Sequence, residues 1–163
     1  MKIVVDAFGG DYAPFEIVAG AVKALQSNPK LEVVLVGDKD KITEILQKLV
    51  FVSDRLEIVH APDVVTMDES PTVAIRTKKT SSIVVAFDYL KQNDDAAALV
   101  SAGSTGATLT GSVLKLGRIQ GVSRPALAPL LPTVNDSKVM LLDCGANAEG
   151  RIDSRCGTVS EIG

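Results

Sequence analysis

Short runs of apolar, mostly β-branched residues alternate with helix-length amphipathic stretches along most of this chain. The apolar runs predict strands at residues 2–7, 31–36, 55–59, 96–100, 128–133 and 138–143. Continuous apolar runs, unlike alternating ones, are typical of strands that helices cover on both faces. The alternation therefore predicts a layered α/β fold around a mostly parallel sheet.

The amphipathic stretches predict the helices between these strands. Pro14 opens a predicted helix to about Ser27, and Asp38 is the predicted N-cap of a helix through Leu49. Residues 71–92 form either one helix or two with a break near residues 80–82, and residues 104–116 form another. In sheets of this kind, ligands bind in the loops at the carboxyl ends of the strands.

Composition narrows the class of protein. The 163 residues fit one domain or a generous half of a larger α/β enzyme, and 46% of them are hydrophobic, enough for a core. The formal net charge of −3 argues against a nucleic-acid-binding protein, because such proteins need a basic surface. No apolar stretch reaches the ~18 residues of a membrane span, and residues 1–6 lack signal-peptide anatomy. We therefore expect a cytoplasmic protein.

Few residues are available for metal or disulfide chemistry. The sequence holds two cysteines, Cys144 and Cys156, and one histidine, His60. Their spacing matches neither a zinc site nor a disulfide framework, so we expect no metal. Residues 148–163 have no helical or strand period. We expect a domain over residues 1–147 and a tail that is either disordered or not its native continuation.

The clearest candidate for chemistry is a small, polar, glycine-containing turn between the strand at 96–100 and the next helix. Its members are Ser101, Gly103, Ser104, Thr105 and Gly106. Glycines let the backbone approach an anion closely, and the free N–H groups of a helix start favour phosphate. The alternative is that Ser104 and Thr105 only cap the helix.

Two other strand ends carry polar residues. Residues 6–11 contain two carboxylates, Asp6 and Asp11, beside Gly9 and Gly10. They can orient a substrate hydroxyl, a metal or a basic partner, or form a tight turn with capping aspartates. Residues 143–147 end in Asn147, which can bind a ligand or occupy a left-handed turn. Neither the GxGxxG fingerprint of dinucleotide-binding proteins nor the Walker A pattern is present.

A dense basic patch stands out in this acidic chain. It consists of Arg76, Lys78 and Lys79 and is followed by Ser81 and Ser82. Arginine binds phosphate in a bidentate fork and lysine binds it as a point charge. A solvated helix face is the alternative interpretation.

Taken together and in order, these segments resemble the phosphate acyltransferase family of bacterial phospholipid synthesis. The resemblance covers nearly all of residues 2–147. The matching segments are residues 5–14, 36–38, 71–76, 78–79, 81–82, 101–107, 117–119, 124–128 and 141–147. Phe8 stands where methionine is usual, and Ser104 stands where asparagine is usual. Family members are about twice as long as this chain.

The resemblance implies transfer of a fatty acyl group from acyl carrier protein to inorganic phosphate, which gives an acyl phosphate. It also implies a three-layer α/β/α fold shared with phosphate acetyltransferases and isocitrate-type dehydrogenases, homodimers, peripheral membrane association of the full-length protein, and no nucleotide cofactor. Competing hypotheses are an isocitrate-type dehydrogenase and an inactive fragment that binds phosphate or acyl carrier protein.

We expect Ser104, Thr105, Asp11 and Asn147 to act at the reacting centre. A second group of residues is expected to bind phosphate or substrate: Gly9, Gly10, Arg76, Lys78, Lys79, Ser81, Ser101, Gly103 and Gly106. No serine, histidine and acid set with the character of a triad stands out, which favours direct attack by phosphate on the thioester.

Overall fold

A computed structural model describes residues 1–122, 127–135 and 137–141 of the chain, which divides into two compact units, Met1–Gly121 and Val122–Gly163. Strands and helices alternate through the first unit. Its elements are β1 (Lys2–Asp6), α1 (Phe15–Ser27), β2 (Glu32–Gly37), α2 (Lys39–Lys48), β3 (Leu56–His60), α3 (Pro71–Thr77), α4 (Ser82–Gln92), β4 (Ala96–Val100) and α5 (Thr105–Gly111).

The strands of the first unit form one parallel sheet in the order β3-β2-β1-β4. The chain leaves β1 towards β2 and β3 on one side, and later returns to place β4 on the other side. β1 and β4 therefore flank a topological switch point, which is the position where ligands bind in sheets of this kind. This confirms the predicted α/β fold with a mostly parallel sheet.

Helices cover both faces of the central strands. Val5 and Leu35 pack with α1 and α2 on one face, and Val4 and Val34 pack with Ala86 of α4 on the other. All four strand residues are at most 9% exposed. The prediction that the strands are buried on both faces holds for β1 and β2.

The same prediction is wrong for the two edge strands, β3 and β4, because none of their residues is fully buried. Within residues 1–121 the face of β4 beside α1 stays open, so that Val100 is 53% exposed. An open groove lined by Ile3, Ile17, Ala24 and Val100 runs along this face. An apolar sequence indicates a strand, but its position in the sheet decides how far it is buried.

The helices predicted from local sequence signals are present, with differences in where two of them end. The Asp38 side chain accepts hydrogen bonds from the N–H groups of Asp40 and Lys41 and caps α2 as expected. Residues 71–92 form two helices, α3 and α4, rather than one. The helix predicted over residues 104–116 ends its α-helical part at Gly111 and continues as a π-helical segment, Ser112–Leu116.

The second unit, as far as the structure describes it, holds a two-stranded antiparallel pair, β5 (Leu130–Pro132) and β6 (Lys138–Met140). Strands were predicted over residues 128–133 and 138–143, so their positions are confirmed. The expectation that these strands extend a buried parallel sheet is wrong, because they pair antiparallel and all three residues of each strand are exposed. Residues 142–147, including Asn147, and the predicted tail at 148–163 lie outside the described residues.

Candidate functional site at the switch point

A cavity opens at the carboxyl ends of β1 and β4, where the topology places the switch point. It is lined by the loops after these two strands, the segment before α3, and the first turns of α4 and α5. The lining residues are Asp6, Phe8, Gly9, Val64, Val65, Ser82, Ile83, Ser101, Gly103, Ser104, Ala107 and Thr108. The cavity volume is about 10 Å³, which is room for one water molecule.

A hydrogen bond between Asp6 and Ser101 joins the ends of β1 and β4 at the centre of this site. The Ser101 hydroxyl donates to Oδ2 of Asp6 at 2.8 Å, and the Phe8 N–H donates to Oδ1 at 3.3 Å. Ser101 Oγ in turn accepts from the Gly103 N–H at 3.1 Å. Asp6 is 3% exposed, so its carboxyl group is held inside the protein. The sequence indicates both Asp6 and Asp11 as candidate carboxylates in this segment, and only Asp11 was included among the predicted site residues.

Glycines allow the two loops to touch backbone to backbone. A Cβ atom on Gly103 would lie 3.0 Å from the Cα of Gly9, and one on Gly9 would lie 2.6 Å from Ser101 Oγ and collide with the Asp6 carboxyl group. Gly10 has a φ of 124° and packs against Ala102. The predicted site residues Gly9, Gly10, Ser101 and Gly103 are thus brought together.

Ser104, Thr105 and Gly106 form the start of α5 beside this contact. Ser104 Oγ accepts a hydrogen bond from the Ala107 N–H at 3.3 Å, so Ser104 does cap the helix. Thr105 is exposed at the first position of α5, and Gly106 packs against Pro71, so that a Cβ there would lie 2.8 Å from Pro71 Cγ. Because α5 has seven residues, its dipole contributes less to anion binding than the sequence interpretation assumed.

The structure does not bring the basic patch into the cavity lining. Lys78 Nζ donates to the Val64 carbonyl at 3.0 Å and to Glu69 Oε1 at 2.7 Å, which closes the loop between β3 and α3. Ser81 is fully buried, and its hydroxyl donates to the Lys78 carbonyl at 2.8 Å. Arg76 and Lys79 are exposed on or beside α3, and Asp11 is exposed in the β1–α1 loop.

The Glu69–Lys78 pair gives the loop a dependence on pH. The bond from Lys78 and those from the N–H and hydroxyl of Thr66 lower the pKa of Glu69 to about 2 from 4.5. A carboxyl group whose pKa is lower in the folded state stabilises the fold above its unfolded pKa, and that contribution is lost as the pH falls towards the folded value.

We expect Lys78→Met to lower the urea midpoint relative to wild type near pH 6, and this gap to close as the pH falls from about 4.5 towards 2. Lys48→Met, which removes a fully exposed pair with Glu44 on α2, is the matched control and should show a smaller gap. A gap for Lys78→Met that stays constant over this pH range would contradict the assignment.

Within residues 1–122, 127–135 and 137–141, no group of three or more histidine, cysteine, aspartate or glutamate side chains is placed to hold a metal ion. In the same part of the chain, no helix is long and apolar enough to cross a membrane.

Solved structures with this fold include the phosphotransacetylase EutD of Staphylococcus aureus. It is 24% identical and superposes with a TM-score of 0.60, covering 91% of this chain and 47% of that one. The fold is therefore that of the phosphotransacetylases, built here by a chain about half as long.

The chain belongs to the family described as fatty acid synthesis protein, whose model matches residues 1–154. Similar relatives are the phosphate acyltransferases of Clostridium novyi, 47% identical over 149 residues, and of Thermoanaerobacterium thermosaccharolyticum, 50% identical over 149 residues. Each match covers 91% of this chain but 44% and 43% of the relative. The chain thus spans less than half the length of these relatives. Membership of this family supports the transferase hypothesis. It gives no support to the dehydrogenase hypothesis.

Proposed function

We propose that this chain forms the amino-terminal part of an acyltransferase that moves a fatty acyl group from acyl carrier protein to inorganic phosphate. The reaction is proposed to take place in the cytoplasm and to supply phospholipid synthesis. The observation that carries the proposal is the close contact of the β1 and β4 loops at the switch point. Ser101, Gly103 and Ser104 line the cavity there, and the relatives of the chain include phosphate acyltransferases. The full-length protein is proposed to be a homodimer that associates peripherally with the membrane.

The proposed reaction is direct attack of a phosphate oxygen on the thioester carbonyl. The new bond joins carbon and phosphate oxygen, the carbon–sulfur bond breaks, and the thiolate of the carrier protein leaves. A covalent acyl-serine is disfavoured, because Ser101 donates its proton to a carboxyl group and not to a histidine. The one histidine, His60, lies at the end of β3, where its Nδ1 accepts from the Lys39 N–H at 3.2 Å.

Catalysis in this scheme rests on positioning and on donors to the developing oxyanion. Residues 101–106 bind phosphate or the acyl carbonyl in this proposal, with Thr105 exposed at the start of α5 and Asp11 exposed in the β1–α1 loop. Asn147 is proposed to complete the site. The exposed cations Arg76 and Lys79 are proposed to bind phosphate or the acidic carrier protein, whereas Lys78 is held by Glu69.

The test is formation of acyl phosphate from acyl carrier protein thioester and phosphate, trapped with hydroxylamine as the hydroxamate. Hydroxamate formed without phosphate is subtracted, because hydroxylamine also cleaves the thioester directly. Thr105→Val and Ser104→Gly remove a hydroxyl each, and glycine costs only a few tenths of a kcal/mol at an N-cap. We expect each to lower kcat/KM for phosphate at least about tenfold, as loss of an oxyanion donor does. Thr43→Val, on α2 and remote from the cavity lining, is the matched control. Unchanged kcat/KM in both site variants would contradict the proposal.

The second candidate is a module that binds phosphate or acyl carrier protein without turnover. It is favoured by the coverage of 44% and 43% of the two relatives, which leaves more than half of their length to contribute to catalysis. No hydroxamate from the 163-residue chain, together with saturable phosphate binding, supports this candidate.

A further inference from the structure

The hydroxyl of Ser101 donates its proton to Asp6 and is therefore an acceptor towards other groups. Its proton points to Asp6 Oδ2, 2.8 Å away, and one of its lone pairs receives the Gly103 N–H at 3.1 Å. A serine hydroxyl has one proton to donate and two lone pairs that accept. One lone pair is therefore left for a ligand, and towards that ligand Ser101 is an acceptor.

Asp6 enforces this direction from inside the protein. Asp6 is 3% exposed and lies at the end of β1, which pairs with a strand on each side. Neither water nor another side chain therefore readily replaces Ser101 as its hydrogen-bond donor. Turning the Ser101 proton towards a ligand would leave the buried Oδ2 without a donor, and an unsatisfied buried group is costly. The carboxyl group also brings negative charge close to any anion that contacts Ser101.

We propose that Asp6 and Ser101 form a specificity-determining pair that selects an oxyanion still carrying a proton, and so favours hydrogen phosphate over sulfate. This inference rests on the proposed function, which places phosphate at these loops. Slightly above neutral pH, hydrogen phosphate and sulfate are both tetrahedral dianions, but hydrogen phosphate alone has a hydroxyl to donate. A P–OH group donates a hydrogen bond to Ser101 Oγ. A fully ionised oxygen has no proton to donate, and the Oγ lone pair and the Asp6 carboxyl group repel it.

The experiment measures the dissociation constants of inorganic phosphate, sulfate and monofluorophosphate for the 163-residue chain by calorimetry, slightly above neutral pH. Monofluorophosphate is a dianion of similar shape without a hydroxyl. We expect phosphate to bind at least about tenfold more tightly than either of the others, since a site built to pair a hydroxyl rejects analogues that lack it. This comparison needs no variant. Sulfate or monofluorophosphate binding as tightly as phosphate would overturn the inference.

Asp6→Asn tests the role of the carboxyl group itself. It removes the charge and frees the Ser101 hydroxyl to donate, so we expect sulfate to bind more tightly and the preference for phosphate to fall to about threefold or less. Asp54→Asn makes the same change at an exposed position in the turn before β3 and should keep the wild-type preference. Circular dichroism verifies that the variants are folded.

The outcomes separate the two proposals. If phosphate and sulfate bind equally well to the wild-type chain, or if a folded Asp6→Asn variant keeps the full preference, the inference fails while the phosphate site stands. If none of the anions binds to the wild-type chain, the site assigned under the proposed function fails, and the inference fails with it.

Discussion

Replacing Gly9 with alanine is expected to destabilise the fold by on the order of 2–4 kcal/mol and to abolish phosphate binding. The added methyl group would lie 2.6 Å from Ser101 Oγ and against the Asp6 carboxyl group. Neither neighbour can move away cheaply, because Asp6 ends the interior strand β1 and Ser101, directly after β4, is held by its hydrogen bonds to Asp6 and Gly103. The change therefore forces the β1 and β4 loops apart and leaves buried Asp6 without its donor.

Urea unfolding followed by far-UV circular dichroism measures this effect, since the chain has no tryptophan. Gly20→Ala is the matched control. Gly20 lies in helix α1 with open space around the position of a Cβ, so alanine there should stabilise the fold by about 0.5–1 kcal/mol. Equal unfolding midpoints for Gly9→Ala and wild type would show that the two loops are not in the described contact.

Replacing Arg55 with methionine is expected to destabilise the fold by about 2–4 kcal/mol, because hydrogen bonds from a charged group contribute roughly 1.5–3 kcal/mol each. The Arg55 guanidinium donates to the carbonyls of Leu25, Asn28 and Leu31, each at 2.9 Å. These carbonyls belong to the end of α1 and the turn into β2. Methionine fills a similar volume but leaves all three without this donor.

The comparison with two further variants identifies the cause. Arg55→Lys keeps the charge but lacks the planar fork, so its loss of stability should be intermediate. Arg76→Met removes an exposed arginine from α3 and should change the stability by no more than about 0.5 kcal/mol. If Arg55→Met were as harmless as Arg76→Met, the assigned role in joining α1 to β2 would be wrong.

The order of elements in the first unit could be predicted because its signals are local. The Asp38 cap and the helix start at Pro71 each depend on a few neighbouring residues. The exposure of β4 could not be predicted in this way, since an edge strand and a central strand can share the same apolar sequence. The edge position follows from the pairing of β4 with β1 alone within the sheet.

The site was predicted in part for the same reason. Placing Gly9 and Ser101 at the carboxyl ends of parallel strands was sufficient to bring their loops to one edge of the sheet. The role of Asp6 was missed because its partner, Ser101, is 95 residues away in the sequence. The bond between Lys78 and Glu69, nine residues earlier, could not be predicted, because it depends on the path of an irregular loop. Lys78 was therefore assigned to substrate binding.

Binding of phosphate by the β1 and β4 loops is tested most directly by a phosphate titration of the 15N-labelled chain followed by backbone amide shifts. We expect saturable shifts concentrated at Gly9, Gly103 and Ser104, and little change at Gly20 in α1. Saturable shifts confined to exposed lysines such as Lys39 and Lys48, or no saturable shifts at all, would contradict the proposed binding.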